Sequence, residues 1–453
     1  MRTAELAGRR VAVWGHGREG RAALAALQAR LPGLRPTLFC SAIEAPDVAA
    51  ASVGTIVTDA PTAADLCAFD VVIKSPGISA YRPELLEARR NGTQFTSGTA
   101  LWFAEMPQAR VIAVTGTKGK STLSALVAHL LRALGRRTAL AGNIGLPLLE
   151  LLDPAQAPDW WVVELSSFQT GEANGVEVGV VNNLYEEHLD WHGTRERYAA
   201  DKLALADAAR TLVLNALQPE LLARTATHPR RVTFGDAQGW HAREGWIRRG
   251  AHAVFELARS PLPGAHNALN ACAALATLEA AGVDAVAAAP AIATFRPLPH
   301  RLQLLGERDG IDWIDDSIAT TPQATLEALA SLRGRDACVL VGGYERGLDW
   351  TSFARALDEQ PPHAVVTMGA NGARIAQVLR ACSGRFRLAS VATLAEAVTL
   401  ARSLVPRGGA VLLSPGAPSF DQFRDYAERG CAFARLAGFD PAAIGVIDGL
   451  GIA

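Results

Sequence analysis

"AVTGTKGKST", residues 113–122, is the stretch whose reading decides the fold class. An apolar run ends in Gly116, and Lys120, Ser121 and Thr122 then open a segment in which Leu123, Leu126, Leu130 and Leu134 share one helical face before Gly135. A strand that turns through glycine into a helix suits phosphate, because the first N–H groups of a helix are unsatisfied and carry partial positive charge. The stretch nonetheless departs from G-x-x-x-x-G-K-[ST], since Val114 stands five residues before Gly119. It is either a turn without a ligand or a shortened phosphate loop, and G-K-S-T at the helix start favours the loop. On that reading Lys120 supplies charge to the β- and γ-phosphates of a nucleotide, and a Ser121 or Thr122 hydroxyl ligates Mg²⁺.

Outward from this loop, strands alternate with helical segments. "RVAVWG", "TLFCS", "TIVTD", "VVIKSPG" and "QFTS" form a first block, and "RVIAVTG", "WWVVELSS" and "VGVVNNL" a second. "RVTFG", "GWIRRG" and "HAVFEL" read as a small antiparallel addition, followed by a helix in "LPGAHNALNACAALATLEAAG". Beyond a proline-rich hinge at "PLPHR", "DWIDDS", "ACVLVGG", "AVVTMG" and "AVLLSPG" alternate with helices again. The expectation is an α/β chain of three domains with parallel sheets: residues 1–98 Rossmann-like, 99–297 a P-loop ATPase-type central sheet, and 298–453 Rossmann-like.

Composition removes several classes. The 453 residues carry a net charge of −1, and this near-neutrality argues against a surface for nucleic acid or an anionic membrane. No apolar run approaches a bilayer span, and residues 1–10 are too polar for a secretory signal, so the chain reads as cytoplasmic. The six cysteines, Cys40, Cys67, Cys272, Cys338, Cys382 and Cys431, are scattered without C-x-x-C pairing and read as reduced core thiols.

Other motifs are weaker alone. "GHGREG", with Gly15, Gly17 and Gly20, satisfies the G-x-G-x-x-G pattern, but the strand after it ends "TLFCS" without the acidic residue that would hold a ribose. A nicotinamide-dependent oxidoreductase would rest on that motif alone. A glycine turn that admits another pyrophosphate, and a purely structural turn, both stay open. Glu164 ends a buried strand at the sheet edge where ligands collect, as a Mg²⁺ ligand or as one half of an ion pair. Glu186, Glu187, His188, Asp190 and His192 cluster in "NNLYEEHLDWHG", and Lys202, taken alone, reads as a solvated helix lysine.

Taken in order, these pieces resemble the Mur ligases. The resemblance rests on G-T-x-G-K-S-T, "GNIGLP" (142–147), "ELSSFQ" (164–169), "HLDWHG", "GAHNALNA" (264–271), "PHR" (299–301), "DDSIATTP" (315–322) and "LLSPGAPSFDQFRDYAERG" (412–430), with "SPGI" at 75–78. It covers essentially the whole chain, and the short loop is normal for the family. Folylpolyglutamate synthase shares the ATP domain but lacks the first one. A pseudo-ligase would have lost Lys120, Glu164, His188 or Lys202, all of which are present.

The resemblance implies ATP-dependent amide formation through an acyl phosphate. "ELSSFQ" and the "SPG…SFDQF…ERG" tail are most similar to members that add glutamate to UDP-N-acetylmuramoyl-L-alanine. It implies that Gly116, Thr117, Lys118, Gly119, Lys120, Ser121, Thr122, Asn270, Arg301 and Asp316 bind ATP. Ser121, Glu164, His188 and Lys202 would hold two Mg²⁺ ions, with Lys202 carbamylated by CO₂, and Lys120, His188 and Lys202 would be catalytic. Gly15, Gly17, Ser75, Gly77, Asn143 and Ser166 would face the acceptor, and Thr320, Arg346, Ser419 and Tyr426 the glutamate. A monomer is implied. Four residues depart from the family pattern: Lys118 replaces Asn, Ile318 and Arg346 replace Lys, and Tyr426 replaces Phe. Three of the four fall in the last domain, where they suggest a rebuilt amino-acid pocket, so L-glutamate is the expected substrate and D-glutamate the alternative.

Overall fold

Short Val-, Ile- and Leu-rich runs with no polar alternation suit strands covered on both faces, and this is how the chain uses them. The protein is described by a computed structural model, which covers residues 1–42, 44–48, 53–185, 189–381, 385–445, 447 and 449–453. The chain divides into two compact units, residues 1–295 with 449–453 and residues 296–448.

In the first unit, β1 (Val11–Trp14), β2 (Thr37–Phe39), β3 (Thr55–Val57), β4 (Val71–Lys74) and β5 (Gln94–Thr96) form a parallel sheet in the order β3-β2-β1-β4-β5. The order reverses between β1 and β4, which places a topological switch point beside the glycine turn after β1. A second sheet holds β6 (Val111–Thr115), β7 (Thr138–Gly142), β8 (Trp160–Glu164), β9 (Val176–Val181), β10 (Ala209–Asn215), β11 (Arg231–Phe234), β12 (Trp240–Arg243), β13 (Trp246–Arg249) and β14 (His252–Glu256). At its centre β6 lies between β8 and β9, all parallel and almost entirely buried. The expected antiparallel addition has three strands, but not the three segments read for it. β11 extends the parallel sheet beside β10, and only β12, β13 and β14 form the meander. The two sheets of this unit share one apolar core, in which Trp102 of the helix Gly98–Glu105 meets Trp161 of β8 edge to face at 4.8 Å.

The second unit carries β15 (Gln303–Arg308), β16 (Ile311–Asp315), β17 (Ala337–Val341), β18 (Ala364–Thr367), β19 (Arg387–Ser390) and β20 (Ala410–Leu413) in the order β15-β16-β20-β17-β18-β19. All of its pairings are parallel except the hairpin β15–β16, whose first strand the sequence did not announce. The chain then re-enters the first unit. β21 (Gly451–Ile452) pairs antiparallel with β7, and Arg132 Nη2 donates to the carbonyls of Thr138 at 2.6 Å and Gly451 at 3.2 Å. Five cysteines are free thiols: Cys40, Cys272 and Cys338 are buried, Cys67 and Cys431 half-buried. Cys382 lies outside the described residues. No helix among the described residues is long and apolar enough to cross a membrane.

Candidate active site

The loop that opened the sequence reading leaves β6 at Thr115 and enters the helix Lys120–Ala133 through Gly119, the N-cap, at φ 76°. A Cβ on Gly119 would lie 2.7 Å from Asn270 Oδ1 and 2.8 Å from Asn182 Nδ2, so a side chain here meets both strain and collision. Asn182 and its neighbour Asn183 hold the loop. Asn182 Nδ2 donates to Lys118 O at 3.1 Å and to Asn270 Oδ1 at 2.9 Å, and Asn183 Nδ2 donates to Lys118 O at 3.0 Å. In return the Lys118 N–H donates to Asn183 Oδ1 at 2.8 Å. With its carbonyls tied back, the loop leaves the N–H groups at the helix start as its outward-facing backbone, the arrangement an anion needs. Lys120 Nζ donates to Thr117 O at 3.0 Å, Ser121 is half-buried and Thr122 buried.

The neighbouring strand supplies a carboxylate. β8 registers Glu164 opposite Val114 and Gly142. Glu164 is 1% exposed; its Oε1 accepts from Asn143 Nδ2 at 2.7 Å, while its buried Oε2 has no hydrogen-bond partner among the described residues. A bare, buried carboxylate oxygen is expensive unless a cation completes it, and a hard divalent ion suits an all-oxygen donor. Gly142 makes the approach of Asn143 possible, since a Cβ there would lie 2.3 Å from Glu164 O. Ser166, just beyond, donates through Oγ to Gln169 Oε1 at 2.7 Å.

Lys202 proves buried, contrary to its reading as a solvated lysine. It is 2% exposed on the helix Arg195–Leu203, its Nζ donates to Gly116 O at 2.9 Å, and it lies 5.0 Å from the Tyr198 ring. Tyr198 OH shares a 2.6 Å hydrogen bond with Thr117 Oγ1. The lysine therefore belongs to the loop. Glu186, Glu187 and His188 lie outside the described residues; of the same segment, His192 is buried, its Nδ1 2.6 Å from Asp201 Oδ2. Among the described residues no three His, Cys, Asp or Glu side chains gather as a metal cluster.

At the first sheet, the glycines of "GHGREG" prove unequal. A Cβ on Gly20 would sit 1.9 Å from Gly15 O, and one on Gly15 2.7 Å from Ser75 Oγ, while Gly17 and Gly77 have open space. Arg18 Nη1 reaches Gly145 O of the "GNIGLP" loop at 3.3 Å. Behind this turn Glu19 is pushed up to about 7, first by burial and then by Glu172 and Glu150.

In the second unit Asp316 follows β16 and is buried, accepting from Ser414 Oγ at 2.8 Å and from the Leu302 N–H at 3.1 Å. Burial pushes its carboxyl up to about 7, against the pull of Ser414 and Arg301. Arg301 stands between two residues of positive φ, His300 (59°) and Leu302 (45°), a strained stretch of backbone. His300 Nδ1 lies 2.7 Å from Asp315 Oδ2, and a Cβ on Gly430 would come within 2.2 Å of that ring nitrogen. Ser419 is buried, Thr320 and Tyr426 are half-buried, and Arg346 is exposed. Ser317 Oγ donates to Tyr426 O at 2.8 Å, and the buried Arg429 ties the Ser317 and Ala417 carbonyls together at 2.8 and 3.0 Å.

Comparison with known proteins decides the family. The pattern of the Mur ligase middle domain matches residues 114–278, and that of the Mur ligase glutamate ligase domain residues 300–417. The UDP-N-acetylmuramoyl-L-alanine–L-glutamate ligase of Xanthomonas axonopodis pv. citri is 52% identical over 467 residues, covering 100% of both chains. The chain belongs to the Mur ligase family. Proteins of the same name from Xylella fastidiosa (strain Temecula1) and Salinispora tropica are 52% and 41% identical, covering 100% of both chains and 96% and 98% respectively. Among solved structures, the UDP-N-acetylmuramate-alanine ligase of Thermotoga maritima shares the fold at TM-score 0.61 and 20% identity, covering 94% of this chain and 98% of that one. A MurF ligase from the same organism, in complex with ADP, does so at 0.57 and 17%, covering 81% and 93%. As a Mur ligase the chain is an ATP-dependent, amide-forming enzyme of peptidoglycan synthesis. What the motifs missed in this Mur ligase are Asn182 and Asn183, whose only trace in the sequence is a polar pair closing the apolar run "VGVV".

Proposed function

We propose that this Mur ligase joins glutamate to UDP-N-acetylmuramoyl-L-alanine at the expense of ATP. The observation that carries the reading is the buried, half-satisfied Glu164 beside a phosphate loop whose carbonyls are tied back by Asn182 and Asn183. Division of labour follows the expected segments: 1–98 for the uridine diphosphate, 99–297 for ATP, 298–453 for glutamate.

An oxygen of the acceptor carboxylate attacks the γ-phosphorus, ADP leaves, and an acyl phosphate forms. The amine of glutamate then attacks the carbonyl carbon, and the tetrahedral adduct expels phosphate to leave the amide. Negative charge grows on oxygen at each step, so fixed cations and N–H groups lower the barrier. Gly116, Thr117, Lys118, Gly119, Lys120, Ser121 and Thr122 cradle the phosphates, with Asn270, Arg301 and Asp316 as further ATP contacts. Lys120 offsets phosphate charge. Mg²⁺ would be held by Ser121 and Glu164, with His188 and a carbamylated Lys202 at a second ion; when bound, it withdraws charge from phosphoryl oxygens. The bare Glu164 Oε2 fits such an ion. Gly15, Gly17, Ser75, Gly77, Asn143 and Ser166 are assigned to the acceptor, and Thr320, Arg346, Ser419 and Tyr426 to glutamate. A cytoplasmic monomer fits nucleotide-linked substrates.

L-Glutamate is the enantiomer in the names of the full-length relatives at 52% identity, and Ile318 and Arg346, where D-glutamate ligases carry lysine, agree with it. The test is phosphate release from purified enzyme with UDP-N-acetylmuramoyl-L-alanine, ATP and each enantiomer separately. Release with L-glutamate is expected. Release with the D-form alone would overturn that assignment and leave the ligase reading standing, and release with neither would overturn both.

A further inference from the structure

His192 has no part in the reaction outlined above, yet it is fully buried in a polar setting. Its Nδ1 faces Asp201 Oδ2 at 2.6 Å and its Nε2 faces Ser167 Oγ at 3.0 Å. A carboxylate at Nδ1 fixes the tautomer, so that Nδ1–H donates to Asp201 and Nε2 accepts from the Ser167 hydroxyl. Asp201 immediately precedes Lys202 on the helix Arg195–Leu203, and successive helical residues point about 100° apart. One side chain therefore faces His192 while the next faces Gly116 O of the phosphate loop at 2.9 Å. Asp201 is held from two further directions. Tyr81 OH donates to its carboxylate, 2.7 and 2.9 Å from the two oxygens, and Thr170 Oγ1 donates to its carbonyl at 2.5 Å.

Tyr81 comes from the loop after β4, the loop of "SPGI". That loop also docks through Ser79 Oγ, which donates to Trp191 O at 2.7 Å, and Pro76 O, which accepts from Trp191 Nε1 at 3.1 Å. Trp191 in turn stacks on Phe168 of "ELSSFQ", ring centres 4.5 Å apart. Burial and Asp201 together push the Tyr81 hydroxyl up to about 12, so it remains a donor throughout the neutral range. The acceptor-side loop, the His192–Asp201 pair and Lys202 form one continuous set of contacts.

We propose that His192 is a positioning residue for Lys202, and that Tyr81 links this positioning to the acceptor-side loop. The inference rests on the ligase reading for its kinetic readout and on geometry alone for its chemical one. The experiment uses the full-length chain and its His192→Ala, His192→Asn and Tyr81→Phe variants. It combines steady-state kinetics with amine labelling read by peptide mass spectrometry, after circular dichroism and melting have confirmed folding. His192→Ala should lower kcat by about 10- to 100-fold, the range found when a group supporting a metal site is removed, with KM for ATP within about twofold. His192→Asn, whose Nδ2 can take the place of Nδ1 and donate toward Asp201, should recover a good part of that loss. Tyr81→Phe should raise KM for the acceptor by a few-fold with less effect on kcat. Labelling is run in CO₂-depleted buffer, where Lys202 is the free amine; protected in the wild type against Gly116 O, it should label faster in His192→Ala. Wild-type kcat and unchanged Lys202 labelling in a folded His192→Ala would overturn the proposal, and so would an Asn variant no better than Ala. If the wild type turns over no acceptor, the ligase reading fails, while the Lys202 labelling contrast still decides the positioning role.

Discussion

Two glycine turns, residues 15–20 and 116–119, occupy the same kind of junction, yet their glycines serve different neighbours. Gly20 is required by backbone, because the Gly15 carbonyl stands where its Cβ would be. Gly119 is required by side chains, because Asn182 and Asn270 fill the space, bonded to each other, while Asn182 also bonds the loop at Lys118 O. The first turn brings a helix close to a sheet. The second makes room for polar groups that hold a loop in shape. A glycine pattern therefore reports closeness, and only the identity of the neighbour reports chemistry.

Four experiments break or sharpen this contrast. The largest effect belongs to Lys120→Ala, which should reduce ATP turnover by about 10³-fold or more, measured as ADP release; retained turnover would refute the phosphate-loop assignment. Next, Gly20→Ala should lower the melting midpoint by roughly 5 °C or more through backbone collision, whereas Gly119→Ala should chiefly raise KM for ATP, by about tenfold. Equal damage to stability from both would erase the distinction.

A smaller effect concerns pH. The Glu19 carboxyl rises from the ordinary 4.5 to about 7 on folding, so between those values the folded chain keeps a proton that the unfolded chain has released. Stability should fall as pH rises through that window, by at most about 1.4 kcal/mol per pH unit, and level off above it. Asp316 contributes with the same sign. Glu19→Gln should therefore give a shallower slope of melting midpoint against pH between 5 and 7, and an unchanged slope would dismiss the burial argument. The smallest effect is that of Gly17→Ala, which faces open space and should alter stability by less than about 0.5 kcal/mol. A marked rise in acceptor KM in that variant would support the assignment of Gly17 to the acceptor.

How far the sequence was legible follows from the same contrast. The glycine loop at 116–119, its helix and the parallel strands could be read because their signals are local: apolar runs, a glycine and a G-K-S-T start. Glu164 was legible as a strand-end carboxylate. Lys202 was not, because its burial depends on a helix folding back against Gly116, and only the family resemblance pointed to it. Asn182 and Asn183 act on a loop more than sixty residues earlier in the chain, and no local pattern encodes that contact. The meander was misassigned by one strand for a similar reason, with β11 read into it and β12 left out. Whether β11 joins β10 in parallel or β12 in a hairpin depends on partners, not on its own residues.

The return of the chain to β7 has a kinetic consequence. Residues 139 and 452 pair across more than three hundred positions, with the whole second unit between them. Closing so long a loop from an unfolded chain is entropically costly and slow, whereas a folded insert shortens the effective loop to its two connections. On this physics β21 would close onto β7 at lower cost once the second unit has folded. Until it has formed, β7 presents an open edge, and an open edge on a sheet this apolar invites strands from other molecules.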